Sequence, residues 1–277
     1  MIRVTEAMRQ AFSSDGVIKA EGLLSAAELA ECRRCFDFNL ANPGPTALDI
    51  YKGTSDEQYN DLGTAKSLEV YGPMLKKLDF AEFLAELWGS EHVWYFGEEI
   101  FVKDGGKVGR TLWHQDTPYF PSEGAHLANI WISFEALPAR NALEVVRGSH
   151  VGTMYDGAAF MDSKDPTRPL WGGEHFPRLP DIEAERAEDP NSWDVVSWDL
   201  EPGDAVVLHS GALHGGAPVD ASCTTRHTVV LRFFGDDLRY RPFPDAKPDY
   251  FMDLRAFDVG SLKVGDLYRG EHFLQLR

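Results

Sequence analysis

Two textures divide the chain. Up to Trp88 apolar residues recur mainly at helical spacing; from Val93 they gather in short β-branched and aromatic runs. Glu6–Phe12 predicts a short helix, broken by Ser13-Ser14-Asp15-Gly16, and Val17–Ala20 a brief strand. Ser25-Ala26-Ala27-Glu28 is a capping box, and Leu29, Cys32, Phe36 and Leu40 follow at helical spacing until Asn42-Pro43-Gly44-Pro45 stops the helix. Residues 41–68 are polar and read as loop, with Tyr51 and Tyr59 packing at the surface. A second helix is predicted from about Pro73 to Trp88, ended by Gly89.

Strands are predicted at Val93–Phe96, Ile100–Val102, Leu127–Phe134, Leu143–Val146, Val195–Trp198, Ala205–His209 and Arg226–Phe234. In Leu127–Phe134, alternation sets Ile130, Ile132 and Phe134 on one face and Trp131 and Ser133 on the other. Asp104–Gly106, Pro138–Asn141 and Glu201–Asp204 are turns. Residues 152–193 carry few strand signals; a connection this long in a compact domain is usually functional, and Trp171 and Phe176 give it something to pack with, so it reads as a lid. His175 within it reads as an ordinary loop residue. After Gly235 the tail is rich in Pro and aromatics, and Leu254–Leu262 is not assigned. The pattern predicts a mainly β protein with flanking helices, a sandwich or barrel. One domain spans 1–277: a helical buttress and loops at 1–92, a β core at 93–234 interrupted by the lid, and a tail at 235–277.

Composition narrows the function. A 277-residue chain that is 43% hydrophobic can bury a sizeable core. A net charge of -17 argues against nucleic acid and against an anionic membrane surface. It leaves room for an anionic small molecule, which a local basic pocket can bind. Cys32 and Cys35 form a C-x-x-C, but they lie on the predicted helix with no second pair, and read as small apolar residues on one face. Few cysteines suit a reducing compartment, and the N-terminus shows no long apolar run, so cytoplasm is the expected location.

The candidate chemistry starts at Trp113-His114-Gln115-Asp116. A His and an Asp two apart on an extended segment point to the same side and can share a metal ion. His214, before Gly215-Gly216, is the candidate third ligand. Two His and one carboxylate on one face of a metal are the facial arrangement of non-haem Fe(II) oxygenases. Arg226, opening a strand beyond, is suited to hold a cosubstrate carboxylate in a bidentate manner. Each piece alone is common; their order and spacing carry the reading. Lys103, Lys107 and Arg110 read as a solvated turn.

Trp113-His114-Gln115-Asp116, Leu143–His150 with its Arg-Gly-Ser-His end, His214-Gly215-Gly216 and Arg226 resemble the phytanoyl-CoA dioxygenase family of Fe(II)/2-oxoglutarate oxygenases, from Asp15-Gly16 to about Phe234. The resemblance implies a double-stranded β-helix, a cupin-like jelly roll. It implies His114, Asp116 and His214 as Fe(II) ligands and Arg226 as anchor of the 2-oxoglutarate C5 carboxylate, with Trp131, Gln115 and Thr111 as further cosubstrate contacts. It prefers His214 over His209 as ligand, while alternation turns His227 away from Arg226. Many members have a Ser where this chain has Gly216; Thr224, Thr225 or Thr228 could supply the hydroxyl.

The implied reaction uses O2 and 2-oxoglutarate, with ascorbate as a supporting reductant, and releases succinate and CO2 while a small organic metabolite is hydroxylated. Asp116 argues against halogenation, because related halogenases have a small residue at that position. Tyr119, Phe120, Phe101, Tyr95 and the lid are the expected pocket walls, and nothing marks a CoA thioester as substrate. The aromatic tail offers a surface to a second copy in a homodimer. The alternatives are a zinc-dependent cupin-like hydrolase, which has no role for Arg226, and a non-catalytic ligand-binding barrel.

Overall fold

A computed structural model describes residues 2–54, 57–160, 164–250, 260–269 and 273–277. In chain order the elements are α1 (Glu6–Asp15), β1 (Val17–Ala20), α2 (Ala26–Ala41), β2 (Leu48–Ile50), β3 (Gln58–Leu62), α3 (Ala65–Lys77), α4 (Phe80–Trp88) and β4 (Trp94–Asp104). There follow β5 (Ser122–Glu123), β6 (Leu127–Ser133), β7 (Leu143–Val146), α5 (Ile182–Glu188), β8 (Val195–Val196), β9 (Ala205–Leu208), β10 (His214–Gly216), β11 (Thr225–Phe234), β12 (Arg239–Tyr240) and β13 (Leu274–Gln275).

Local chemistry explains the helix ends. Thr5 caps α1 and Gly16, at φ +73°, closes it. The Ser25–Glu28 capping box opens α2 as the sequence predicts. The single helix expected near Pro73 is two. Thr64 caps α3 well upstream, Pro73 lies inside it, and the extended backbone of Leu78 separates it from α4.

Among the described residues the strands form a large antiparallel sheet ordered β1-β9-β6-β11-β4-β3-β2, with β13 also on β4, and a small sheet ordered β10-β7-β8. A short β12-β5 pair stands apart. The two predicted strands at 93–102 are one, because β4 continues through a bulge: Arg232 pairs with Gly97 and Phe233 with Tyr95, so Phe96 is passed over.

Both faces of the large sheet are covered. Ile130, Ile132, Val229, Leu231 and Phe233 pack on Phe36, Leu75, Phe80, Phe83 and Leu84 of the helices. On the other face Trp131, Val206, Leu208 and Val230 meet Leu143 and Val145 of the small sheet. Two facing antiparallel sheets with helices behind the larger one make the jelly roll, and the site lies between the sheets.

β2 and β3 correct the loop expected at 41–68. Their segment is polar because its polar residues are buried with dedicated partners: Asn60 donates to Glu99, and Asp61 accepts from the Gly44 amide and the Thr46 hydroxyl. α5 likewise falls inside the 152–193 insert, where no helix was expected. Most of Leu254–Leu262 lies outside the described residues. The tail aromatics Tyr268 and Phe273 pack within the chain, beside Phe234 and Phe96. No described helix is long and apolar enough to cross a membrane.

Candidate metal centre

His114 and His214 are brought together by the backbone. Each donates its amide N–H to the other's carbonyl at 2.9 Å, so their side chains emerge side by side with ring centroids 4.3 Å apart. Asp116 joins them by a different route from the one expected. It is not on a strand: it has helical dihedrals and leads into the turn Thr117–Tyr119, while its amide N–H bonds to the Ser210 carbonyl. Its Oδ1 lies 3.4 Å from His114 Nε2 and 3.8 Å from His214 Nε2.

The outer nitrogens set the tautomers. His114 Nδ1 lies 2.7 Å from the Leu112 carbonyl and His214 Nδ1 2.9 Å from the Ala212 carbonyl. A carbonyl only accepts, so each Nδ1 carries a hydrogen and, in the neutral ring, each Nε2 presents a lone pair. Burial, then the neighbouring His114, lowers the His214 pKa to about 4, so this ring is neutral at pH 7. Burial alone would raise the Asp116 carboxyl, but the Arg232 guanidinium outweighs it and holds the group well below the usual carboxylate range. Three acceptor atoms therefore converge within 4.8 Å of one another with no donor between them. That donor set fits a divalent cation.

Arg226 occupies another part of the same cavity. Only 3% of it is exposed, and its Nη1 donates to the carbonyls of Asn141 and Ala217 at 2.6 and 2.7 Å. Among the described residues no carboxylate pairs with it, and burial lowers its pKa to about 10. The cavity, about 470 Å³ with its open mouth, is lined by His114, Asp116, His214 and Arg226 together with Thr111, Trp131, Phe101, Leu143, Leu208 and Val230.

The other predicted residues divide. Thr111 and Trp131 line the cavity, and the Thr111 hydroxyl donates to Gln58 Oε1 at 3.0 Å. Gln115 does not line it. Its side-chain amide donates to the carbonyls of Thr153 and Gly211 and accepts from the Tyr155 amide, so it braces the start of the insert against the loop before His214. At Gly216 an added Cβ would lie 2.8 Å from Arg226 Nη2 and 3.2 Å from Thr111 Oγ1, so these two groups fill the space a side chain would need. Of the candidate hydroxyls, Thr228 lines the cavity while Thr224 is exposed and Thr225 half-buried outside it.

Tyr95 is not a wall; it packs on Phe233 beneath the helices, and its hydroxyl donates to Glu98. Tyr119, and Phe160 of the insert, stand edge-on to the His114 ring at 6.1 and 5.3 Å. The basic stretch before the motif is a solvated turn only at Lys107, which is exposed: Lys103 is fully buried and donates to the Gly109 carbonyl, and Arg110 pairs with Glu144 and Glu183. His209 bonds to Gly124 and Gly211 outside the cavity, His227 stacks on Phe36, and His175 is exposed. Cys32 and Cys35 are buried thiols in α2, and burial pushes both pKa values up.

Pattern reading missed Arg232, Asn129 and Glu99. Arg232 reaches Asp116 at 3.2 Å and Glu99 at 2.5 Å, and Asn129 donates to Asp116 at 2.6 Å. The signal was available: Arg226, Thr228, Val230 and Arg232 share one face of β11 by alternation, and a charge that far inside a strand needs a partner.

Solved structures show the same architecture. SnoN, an epimerase solved with Fe3+, alpha ketoglutarate and nogalamycin RO, is 18% identical with a TM-score of 0.71, and the match covers 98% of each chain. The carbocyclase SnoK from nogalamycin biosynthesis is 18% identical with a TM-score of 0.68, over 98% of this chain and 96% of its own. EctD from S. alaskensis is 19% identical with a TM-score of 0.62, over 88% and 82%. At these identities the likeness establishes the fold. No curated protein matches the chain. The sequence profile of the phytanoyl-CoA dioxygenase (PhyH) family, in contrast, matches residues 12–228, from α1 to the middle of β11, a span that includes all three converging residues and Arg226. The chain belongs to the phytanoyl-CoA dioxygenase family.

Proposed function

We propose that the protein is an Fe(II)/2-oxoglutarate-dependent oxygenase acting on a small organic metabolite. One observation carries this reading: three converging acceptors and a buried guanidinium without a carboxylate partner among the described residues share one cavity. His114 and His214 would hold the metal through Nε2 and Asp116 through Oδ1. Arg226 would bind the far carboxylate of 2-oxoglutarate, with Thr111, Thr228 and Trp131 beside it. Fe(II) with 2-oxoglutarate and O2 supplies the oxidising power, yielding succinate and CO2.

The chain's own part is placement and exclusion of water. The Leu112 and Ala212 carbonyls fix the two imidazoles, so the metal meets preset lone pairs. Phe101, Leu143, Leu208 and Val230 give the cavity apolar walls, which strengthens the pairing of Arg226 with a carboxylate. Tyr119 and Phe160 beside His114 suit a substrate with an apolar part. The neighbours SnoN and SnoK are described as an epimerase and a carbocyclase, so this fold also hosts outcomes other than hydroxylation. Hydroxylation is the outcome we favour here, with Asp116 in place as a metal ligand. A zinc hydrolase would leave Arg226 without a task.

The test is anaerobic Fe(II) titration of metal-free protein with and without 2-oxoglutarate, read by the weak visible charge-transfer band of the chelate. The band is expected only with both present, and is expected to vanish in His214→Ala. Tight zinc retention with no band would reject the oxygenase.

A further inference from the structure

Asp116 is engaged on both oxygens, but by different kinds of group. Oδ1 faces the two imidazoles at 3.4 and 3.8 Å. Oδ2 accepts from Asn129 Nδ2 at 2.6 Å and from Arg232 Nε at 3.2 Å. Both donors are themselves held. Ser210 Oγ donates to Asn129 Oδ1 at 3.0 Å. Arg232 Nη2 donates to Glu99 Oε2 at 2.5 Å, and the other Glu99 oxygen accepts from Asn60 Nδ2. Asn129, Arg232, Glu99 and Asn60 are all buried, and they come from four adjacent strands of the large sheet: β6, β11, β4 and β3.

We propose that Arg232, together with Asn129, is a positioning residue that keeps Asp116 a one-oxygen ligand and so keeps a coordination position of the bound metal open. The proposal rests on the metal-centre reading above. A carboxylate can hold a metal through one oxygen or through both. Turning Oδ2 towards the metal would break both of its hydrogen bonds and leave the buried Arg232 with Glu99 alone. The network therefore favours the one-oxygen mode. A two-oxygen Asp116 would consume a position that the cosubstrate or O2 requires.

Arg232 also balances two buried carboxylates, so the test must separate positioning from folding. Arg232→Met combined with Glu99→Gln removes one charge of each sign, so Glu99 is not left as a buried carboxylate without its cation, while Asp116 Oδ2 keeps the Asn129 donor. Asn129→Leu removes the second donor with no change of charge. Arg232→Lys keeps a cation that can still reach Oδ2. The readouts are Mn(II) affinity, the number of exchangeable waters on bound Mn(II) from solvent-proton relaxation, 2-oxoglutarate affinity, and the thermal midpoint. Adding Asn129→Leu to the paired substitution is expected to remove an exchangeable water and to weaken 2-oxoglutarate binding about tenfold or more. Arg232→Lys is expected to retain the water. Cooperatively folding, Mn(II)-binding variants with the parent's hydration and 2-oxoglutarate affinity would overturn the proposal. If the Arg232 variants do not fold, Asn129→Leu decides alone: a lost water supports the proposal and unchanged hydration overturns it. A parent protein that binds no Mn(II) would overturn the metal reading and this inference with it.

Discussion

His209 and Arg226 show how burial gives two similar-looking polar residues different work. His209 accepts the Gly211 amide N–H at Nδ1, so its Nε2 carries the hydrogen and donates to the Gly124 carbonyl. Burial, then the nearby His150 ring, lowers its pKa from 6.5 to about 4. As pH falls the unfolded chain takes up the proton first. The stability this neutral ring contributes is thus present above about pH 6.5 and lost as pH falls towards 4, by roughly 3 kcal/mol in all. His214 acts in the same direction in metal-free protein. The thermal midpoint of metal-free His209→Gln should therefore fall less between pH 7 and pH 5 than the parent's; parallel curves would contradict the assignment. Arg226 is the opposite case, a buried cation without a carboxylate of its own among the described residues. Arg226→Ala should weaken 2-oxoglutarate binding by about 2–5 kcal/mol, because the ligand carboxylate then sits buried without its partner. The chelate band at rising 2-oxoglutarate measures this, and an unchanged midpoint would move the anchor elsewhere.

The helices and the strands contribute at different distances from the chemistry. α2 packs Phe36 behind the large sheet, and none of its residues lines the cavity. Its start depends on Ser25, whose side chain accepts from the Glu28 amide. Ser25→Ala should cost about 1 kcal/mol, lowering the thermal midpoint by about 2 °C while leaving the chelate band intact. A lost band at normal stability would mean that the helical layer does more than support. β11 works on both sides at once: Val229, Leu231 and Phe233 face the helices, while Arg226, Thr228, Val230 and Arg232 face the cavity. Strand alternation alone produces that division.

The whole molecule carries a net charge of -17 and, on our reading, must admit a dianion. Arg226, which receives it, is buried, so an approaching 2-oxoglutarate first meets a repulsive outer field. Salt screens that field beyond roughly 10 Å at 0.1 M, whereas a buried pair is screened little. The association rate of 2-oxoglutarate should therefore rise as NaCl goes from about 20 to about 200 mM. Stopped-flow formation of the chelate band tests this; a falling rate would point to an attractive funnel at the cavity mouth.

Several features were legible in the sequence because they are local. The capping box of α2 and the alternation of β6 and β11 depend on spacing and side-chain type, which the chain carries wherever it folds. His114, Asp116, His214 and Arg226 are singled out by their order and by the family resemblance, and the fold alone brings them into one cavity. Others required the tertiary structure. β3 is a strand of buried polar residues, and only its partners Glu99, Gly44 and Thr46 explain why it is not a loop. Gln115 lies between two converging residues, yet its amide turns to backbone groups of Thr153, Tyr155 and Gly211. Arg232 and Asn129 meet Asp116 across 116 and 13 residues of chain. Periodicity reports which face a residue occupies, but a buried polar group is defined by the partner that offsets its lost hydration, and that partner is known only once distant strands have been brought side by side.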